Sequence, residues 1–358
     1  MEFDLISRYF KEPFADLVQS RGESVLAGIG DDCAALKPTL NHTLYISTDT
    51  LVEGVHFFSD DSAHGVGWKS LACNLSDLAA CGATPLGFTL NLSLPSVDEN
   101  WLSGFSGGLL DLAAQENCPL VGGDTTSAGS NTAKTISITV FGQAPAGHNG
   151  FHRAHALAGD EVWVSGTPGL ARLGLLLQYQ RVGQLAACCK QSELMRVEQL
   201  LAALPDHLKQ PALNALQQPV TRIRLGQQLH GLANACVDLS DGLGGDIGHI
   251  ANSSGLMANL SVLEIQAMWL EYWPELARSP DALELLGTLV STTLQGGDDF
   301  ELCWVAKPAH HNAIQSIEPR PRRIGTLQQG KGVWLAREKA GPERWLEQSY
   351  NHFAEPRP

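Results

Sequence analysis

The 358-residue chain is short of several features that would place it quickly. No apolar run approaches the roughly 20 residues of a membrane-spanning helix, so no such helix is expected. Positive charge is scarce: 24 Lys and Arg stand against 38 Asp and Glu, for a formal net charge of −14. Displacing counterions from a phosphate backbone needs clustered Lys and Arg, so no nucleic-acid partner is expected. None of the eight cysteines forms a Cys-x-x-Cys pair, which argues against zinc ribbons and a disulfide framework. There is no Gly-x-x-x-x-Gly-Lys-Ser/Thr loop, no His-Glu-x-x-His and no His-Arg-Asp with Asp-Phe-Gly, excluding P-loop, zincin and protein-kinase chemistry. Gly242-Leu243-Gly244 starts like a dinucleotide fingerprint, but Ile247 stands where the third glycine belongs. Glu2 and Asp4 occupy the place where an export signal carries positive charge, so a reducing cytoplasm is the expected setting.

What is present reads as a folded protein, 44% hydrophobic and 17% charged. Leu86, Phe88, Leu90, Leu92 and Leu94 alternate with Gly87, Thr89, Asn91 and Ser93, and Ile136, Ile138 and Val140 alternate with small hydroxylated residues. Period two predicts strands with one apolar and one uncharged polar face. Between them Ser96 and Glu99 have capping-box spacing ahead of Trp101, Phe105, Leu109 and Leu112, which predicts a helix. An earlier helix, about Trp68 to Ala80, presents Leu71, Leu75 and Leu78 on one face and Ser70, Asn74 and Asp77 on the opposite stripe. The first half therefore reads as an α+β domain. The pattern lapses into turn residues at Gln143–Gly150. Beyond it, predicted strands at Glu161–Ser165 and Ala235–Leu239 and a helix at Leu170–Tyr179 make an α/β domain. The expected division is 1–148, 149–340 and a tail, 341–358.

Glycine-rich turns carrying aspartate recur: Gly28–Asp32, Ser47–Thr50, Asn74–Asp77, Gly122–Thr126, Asp238–Gly242 and Gly296–Asp299. Singly, each is a turn former or a helix cap more often than a site. Together, oxygen-only donors without Cys or His pairing suit hard cations such as Mg²⁺. Converging carboxylates repel and take up protons unless cations neutralise them. A cation cluster can then hold a polyphosphate, which is how an acidic protein accommodates ATP. A noncatalytic calcium-binding protein is the rival from another class, but the 12-residue EF-hand pattern is absent.

In order, Gly28–Asp32 (GIGDD), Ser47–Thr50 (STDT), Gly54–Phe57 (GVHF), Asn74–Ala80 (NLSDLAA), Gly122–Thr126 (GGDTT), Asp238–Gly242 (DLSDG) and Gly296–Leu302 (GGDDFEL) resemble the thiamine-monophosphate kinase family over nearly the whole chain. That resemblance implies phosphorylation of thiamine monophosphate to thiamine diphosphate with ATP and Mg²⁺, the last step of thiamine diphosphate biosynthesis. It also implies the two-domain architecture of aminoimidazole ribonucleotide synthetase, an α+β N-terminal domain followed by an α/β C-terminal domain, and a homodimer joined through the N-terminal sheets. Carried over, the metal ligands would be Asp32, Ser47, Thr48, Asp49, Asp77, Asp124, Asp238 and Asp241. ATP would be contacted by Gly123, Asp124, Arg153 and Ser240, and thiamine monophosphate by His56, Asp298 and a tail aromatic, Trp345 or Tyr350. Asp298 stands where the family commonly has Glu, one methylene longer. Selenide-phosphorylating relatives in the wider superfamily carry a reactive residue before the first metal-binding aspartate, and here no cysteine precedes Cys33. No covalent nucleophile and no general base is expected, because a phosphate monoester acceptor, with a second pKa of about 6, is already ionised.

Overall fold

The computed structural model describes residues 2–130, 132–147, 150–337 and 343–345. It divides into two compact units, Met1–Gly150 with Thr221–Gln227, and Phe151–Val220 with Gln228–Pro358.

The first unit opens with α1 (Glu2–Ile6), a π-helical turn (Ser7–Lys11) and α2 (Glu12–Ser20), then the short strands β1 (Val25–Ala27) and β2 (Ala35–Leu36). Its main elements follow: β3 (His42–Val52), α3 (Ala63–Ala80), β4 (Thr84–Leu94), α4 (Glu99–Glu116), β5 (Leu120–Ser127) and β6 (Thr135–Pro145). The sheet order is β3-β6-β4-β5, with only the β4–β5 pair parallel. The alternation seen in the sequence is realised. Leu86, Phe88, Leu90, Leu92 and Leu94 are buried, as are Ile136, Ile138 and Val140, on the face shared with Leu71, Leu75, Phe105 and Leu109 of the helices. The other face is polar but knitted by hydroxyls: Thr139 Oγ1 donates to Thr48 Oγ1 at 3.0 Å, and Thr50 and Ser137 hydroxyls meet at 2.7 Å. On β3, at the sheet edge, Leu44 and Ile46 are 43% and 59% exposed.

One expectation is corrected. The cap of α4 is Asp98, whose Oδ1 accepts from Asn100 N at 3.0 Å and Trp101 N at 3.1 Å, rather than Ser96 with Glu99. The helix begins at Glu99, and the carboxylate beside its first turn satisfies two open N–H groups and complements the dipole. On the polar stripe of α3, Ser70 and Asn74 are wholly buried. The helix is enclosed on several sides, with α4 seated at glycines. A Cβ added at Gly67 would lie 2.1 Å from Phe105 O, and one at Gly108 would lie 1.9 Å from His64 O.

The end of β3 is tied to the start of β6 by Glu53. Its N–H donates to Lys134 O at 2.9 Å, while its carboxylate accepts Lys134 N at 3.1 Å and Nζ at 2.7 Å. Burial alone would raise this carboxyl, but the hydrogen bonds and charge of Lys134 outweigh it and hold it below its ordinary value. The sign follows: a depressed carboxylate stabilises the fold above its unfolded pKa, and that contribution is lost as pH falls through the folded value. Glu53→Gln is therefore expected to cost about 1–2 kcal/mol in urea unfolding of the first unit at neutral pH. The gap from wild type should close below about pH 4.

In the second unit run β7 (Glu161–Val164), α5 (Leu170–Arg181), α6 (Leu185–Cys188), α7 (Gln191–Ala203) and α8 (Asp206–Gln217). Then α9 (Ile223–Gln228), mostly counted with the first unit, sits so close to α3 that a Cβ at Gly226 would lie 2.1 Å from Ala79 O. There follow β8 (Ala233–Asp238), α10 (Leu243–Ser253), β9 (Leu256–Ser261), α11 (Val262–Tyr272), α12 (Ala282–Gln295), β10 (Leu302–Ala306), α13 (His311–Gln315), β11 (Arg322–Gln329), β12 (Gly332–Ala336) and β13 (Glu343–Trp345). The seven strands are ordered β13-β12-β9-β11-β7-β10-β8, antiparallel except for β12–β9. Val162, Val305, Ile247, Leu289 and Trp269 share one core, and the Trp269 indole donates to Thr293 Oγ1 at 2.8 Å.

Candidate functional site

Strand alternation decides which candidate side chains of the first unit can meet. On β3, Ser47 and Asp49 point to one face, toward α3, and Thr48 to the other. Ser47 Oγ donates to Asp77 Oδ2 in a short contact. Asp49 N–H, aimed off the sheet edge, donates to Asn74 Oδ1 at 3.1 Å, and Asn74 Nδ2 donates to Ser70 O at 3.1 Å. Burial, with the neighbouring Asp77 charge second, raises the Asp49 carboxyl to about 6. Two carboxylates, a hydroxyl and a buried amide thus form one oxygen-rich cluster. Thr48 instead donates through Oγ1 to Ile138 O at 2.9 Å.

His56 lies in the turn after β3. Its Nδ1 accepts Val52 N–H at 3.0 Å, so the ring proton of the neutral imidazole sits on Nε2. The turn is closed by Gly54 N–H to Phe57 O at 2.8 Å, and Gly54 has φ of 78°. Below it, the buried ammonium of Lys69 donates to His56 O at 3.1 Å.

Asp124 lies elsewhere, exposed on β5 at the opposite edge of the sheet. Gly123 before it has φ of 151°, and a Cβ there would lie 1.9 Å from Leu90 O, so only glycine fits this approach to β4. The loop carrying Asp32 runs beside the same strand: a Cβ at Gly28 would lie 3.8 Å from Val121 O, and one at Gly122 would lie 4.0 Å from Ala34 Cβ. The first unit therefore holds its candidates in two groups, at its two sheet edges. Among the described residues no three Asp, Glu, His or Cys side chains gather as a metal-holding group.

In the second unit the motifs Asp238–Gly242 and Gly296–Glu301 pack main chain to main chain. Asp298 N donates to Ser240 O at 3.0 Å, Phe300 N to Leu239 O at 2.9 Å, and Leu239 N to Glu301 O at 2.8 Å. Asp238 ends β8, and Asp241 precedes α10, where the nearly buried Asp246 accepts Asp241 N–H at 3.2 Å. Burial foremost, then the charges of Asp238 and Asp241, raise the Asp246 carboxyl to about 8. Asp299, also buried, accepts Gly169 N at 2.6 Å and Ala171 N at 3.0 Å from the first turn of α5. Burial raises this carboxyl, and the two N–H donors oppose the rise. Glu301 is held by Ser165 Oγ in a short contact and lies against Gly166.

Arg153 is exposed in a 3-10 turn, Arg153–His155, its carbonyl accepting Ser254 Oγ at 2.8 Å. Trp345 belongs to β13, with its side chain outside the described residues, and Tyr350 lies outside them altogether. Reading by sequence missed the parts played by Asn74, Lys69, Asp246 and Asp299. For Lys69 and Asp246 there was a signal: an ionisable residue among Trp, Leu and Ala in one helix, and among Gly, Leu and Ile in the other.

Donor chemistry fits Mg²⁺. The Asp49–Asp77 group offers hard oxygens only, and burial first, then the Asp77 charge, makes its ionised form costly, a cost that a bound cation would offset.

The chain as a whole is similar to known proteins. The family model described as "AIR synthase related protein, N-terminal domain" matches residues 30–144. The chain is 38% identical over 313 residues to the thiamine-monophosphate kinase of Escherichia coli, covering 87% of this chain and 85% of that one. The Haemophilus influenzae thiamine-monophosphate kinase is 36% identical over 320 residues, covering 88% and 84%. Among solved structures, thiamine-monophosphate kinase from Stenotrophomonas maltophilia superposes with a TM-score of 0.73 at 34% identity, over 92% of this chain and 97% of that one. AaThiL complexed with AMPPCP and TMP superposes with a TM-score of 0.65 at 25% identity, over 93% and 96%.

Proposed function

This chain belongs to the thiamine-monophosphate kinase family, and we propose on that premise that it transfers the γ-phosphoryl group of ATP to thiamine monophosphate. The observation that carries the reading is the Ser47–Asp49–Asn74–Asp77 cluster, oxygen donors assembled on β3 and α3 from two of the ordered motifs.

Mg²⁺ would be held by Asp49, Asp77 and Ser47, with Asp32, Thr48, Asp124, Asp238 and Asp241 as the other ligands carried over by resemblance. When bound, it would neutralise the phosphates that an acidic protein otherwise repels. The chain's own residues orient the reactants. The glycine conformation at Gly123 lets backbone approach the nucleotide phosphates, with Arg153 and Ser240 as further contacts. His56 presents Nε2–H, a donor matched to an oxygen of the acceptor, and Asp298 faces its cationic part. Transfer is direct and in line. The acceptor oxygen is ionised at neutral pH, its second pKa being about 6, so no residue need remove a proton.

Assembly as a homodimer is part of this reading, and features of the same unit support it. Asp49 and Asp124 lie at opposite sheet edges, and the open face bears exposed Leu44 and Ile46 on a surface of uncharged hydroxyls. A second copy set against it would cover Leu44 and Ile46. The division into a nucleotide-binding N-terminal domain, a C-terminal domain completing the site and a tail, with a cytoplasmic setting, completes the proposal.

The direct test follows ADP release with ATP and Mg²⁺, with and without thiamine monophosphate, while chromatography quantifies thiamine diphosphate. ADP and thiamine diphosphate should form in equal amounts, and EDTA should stop both. ADP formed at the same rate without the acceptor would overturn the assignment.

A further inference from the structure

We propose that Asp299 is a positioning residue that locks the Asp238–Gly242 and Gly296–Glu301 turns into one rigid piece, so that nucleotide and acceptor are bound cooperatively. The inference rests on the proposed roles of Ser240 toward ATP and Asp298 toward thiamine monophosphate.

Three independent features of the fold meet at this residue. Asp299 sits between two non-glycine residues in the left-handed region, Asp298 at φ 66° and Phe300 at φ 49°. Such backbone costs on the order of 1 kcal/mol or more per residue and persists only where its surroundings over-determine it. The determining contacts are those of Asp299 itself, whose two oxygens take two N–H groups of the α5 first turn, about 130 residues away in sequence. On either side of that anchor, Asp298 N and Phe300 N reach across to Ser240 O and Leu239 O. The glycines leave no slack. A Cβ at Gly297 would lie 2.4 Å from Ser240 O, and one at Gly242 would lie 2.7 Å from Gly296 O. A turn gripped this way cannot shift toward one ligand without carrying its partner along. Were Asp299 only a helix cap for α5, its loss would lower the melting temperature and leave both Michaelis constants in place.

Asparagine at 299 is nearly isosteric but turns an NH₂ toward one of the two N–H donors, removing one bond and opposing a second donor. For Asp299→Asn the KM values for ATP and for thiamine monophosphate should rise together, each roughly tenfold, a coupling in the ordinary range for linked sites. Circular dichroism should show an intact fold, and Asp298→Ala should raise the acceptor KM alone. If Asp298→Ala leaves the acceptor KM unchanged, the role given to Asp298 is wrong, which is a separate failure. If it raises that KM while Asp299→Asn shifts one constant or neither, the locking role is overturned. Should Asp299→Asn not fold, wild-type enzyme decides by hydrogen exchange. Mg²⁺ with a non-hydrolysable ATP analogue, and no acceptor, should slow exchange at the Asp298 and Phe300 amides roughly fivefold or more. Protection confined to Asp238–Gly242 would overturn the proposal.

Discussion

Asparagine at position 49 is expected to reduce turnover roughly a thousandfold and, at neutral pH without divalent cations, to raise the melting temperature above that of the wild type. The loss follows from the charge-stabilising role proposed for the cluster: metal-assisted stabilisation of phosphoryl charge is worth several kcal/mol, at about 1.4 kcal/mol per factor of ten. The gain follows from linkage. Burial and Asp77 raise the Asp49 carboxyl from 3.8 to about 6, so the folded state holds its proton more tightly than the unfolded chain. Ionisation at neutral pH therefore works against folding. The penalty is absent below the unfolded value and complete above about 6, and asparagine removes it. The melting-temperature gap should accordingly open as pH rises through that window. Adding Mg²⁺ should close or reverse it by stabilising only the wild type. An active variant, or one that melts lower than wild type at every pH without metal, would refute the role given to Asp49. A site that weakens the empty fold is what function demands of crowded carboxylates.

Legibility in the sequence followed from period and from order. The strands around Phe88 and Ile138 declared themselves by alternation because one face is buried and the other carries small hydroxylated residues. Helix α3 was located from its apolar positions, but the part played by its polar stripe was not legible. Periodicity reports hydrophobicity alone, and a buried amide matched to Asp49 N–H has no hydrophobic signature. The cap at Asp98 was displaced by a better-known spacing at Ser96, though a carboxylate nearer the first turn serves the open N–H groups more directly. Aspartate turns could be seen one by one, their shared oxygen donors suggested a hard cation, and their order suggested the family. What no linear reading contains is the grip of Asp299 on α5, which joins segments about 130 residues apart. The separation of Asp49 from Asp124 is also a matter of strand order, and strand order is long-range.

That separation carries a second large expectation. Adjacent strands lie about 4.8 Å apart, so the first and fourth strands of the β3-β6-β4-β5 sheet are on the order of 14 Å apart. Oxygens sharing a Mg²⁺ ion stand roughly 2.1 Å from it, closer together than two aspartates can reach across such a gap. If both carboxylates hold one Mg²⁺ ion, they come from different chains, β5 of one copy meeting β3 of the other. Asp49→Asn and Asp124→Asn homodimers should each be inactive. Co-expressed with different tags and purified as a heterodimer, they should recover about half the wild-type turnover, because one site has lost both carboxylates and the other has lost neither. The reciprocal arrangement gives the opposite result. A chain carrying both substitutions, paired with a wild-type chain, should be inactive, because each site then lacks one ligand. Were Asp49 and Asp124 to act within a single chain, the outcomes would exchange: the mixed single variants would be inactive, and the double variant with wild type would keep half the turnover.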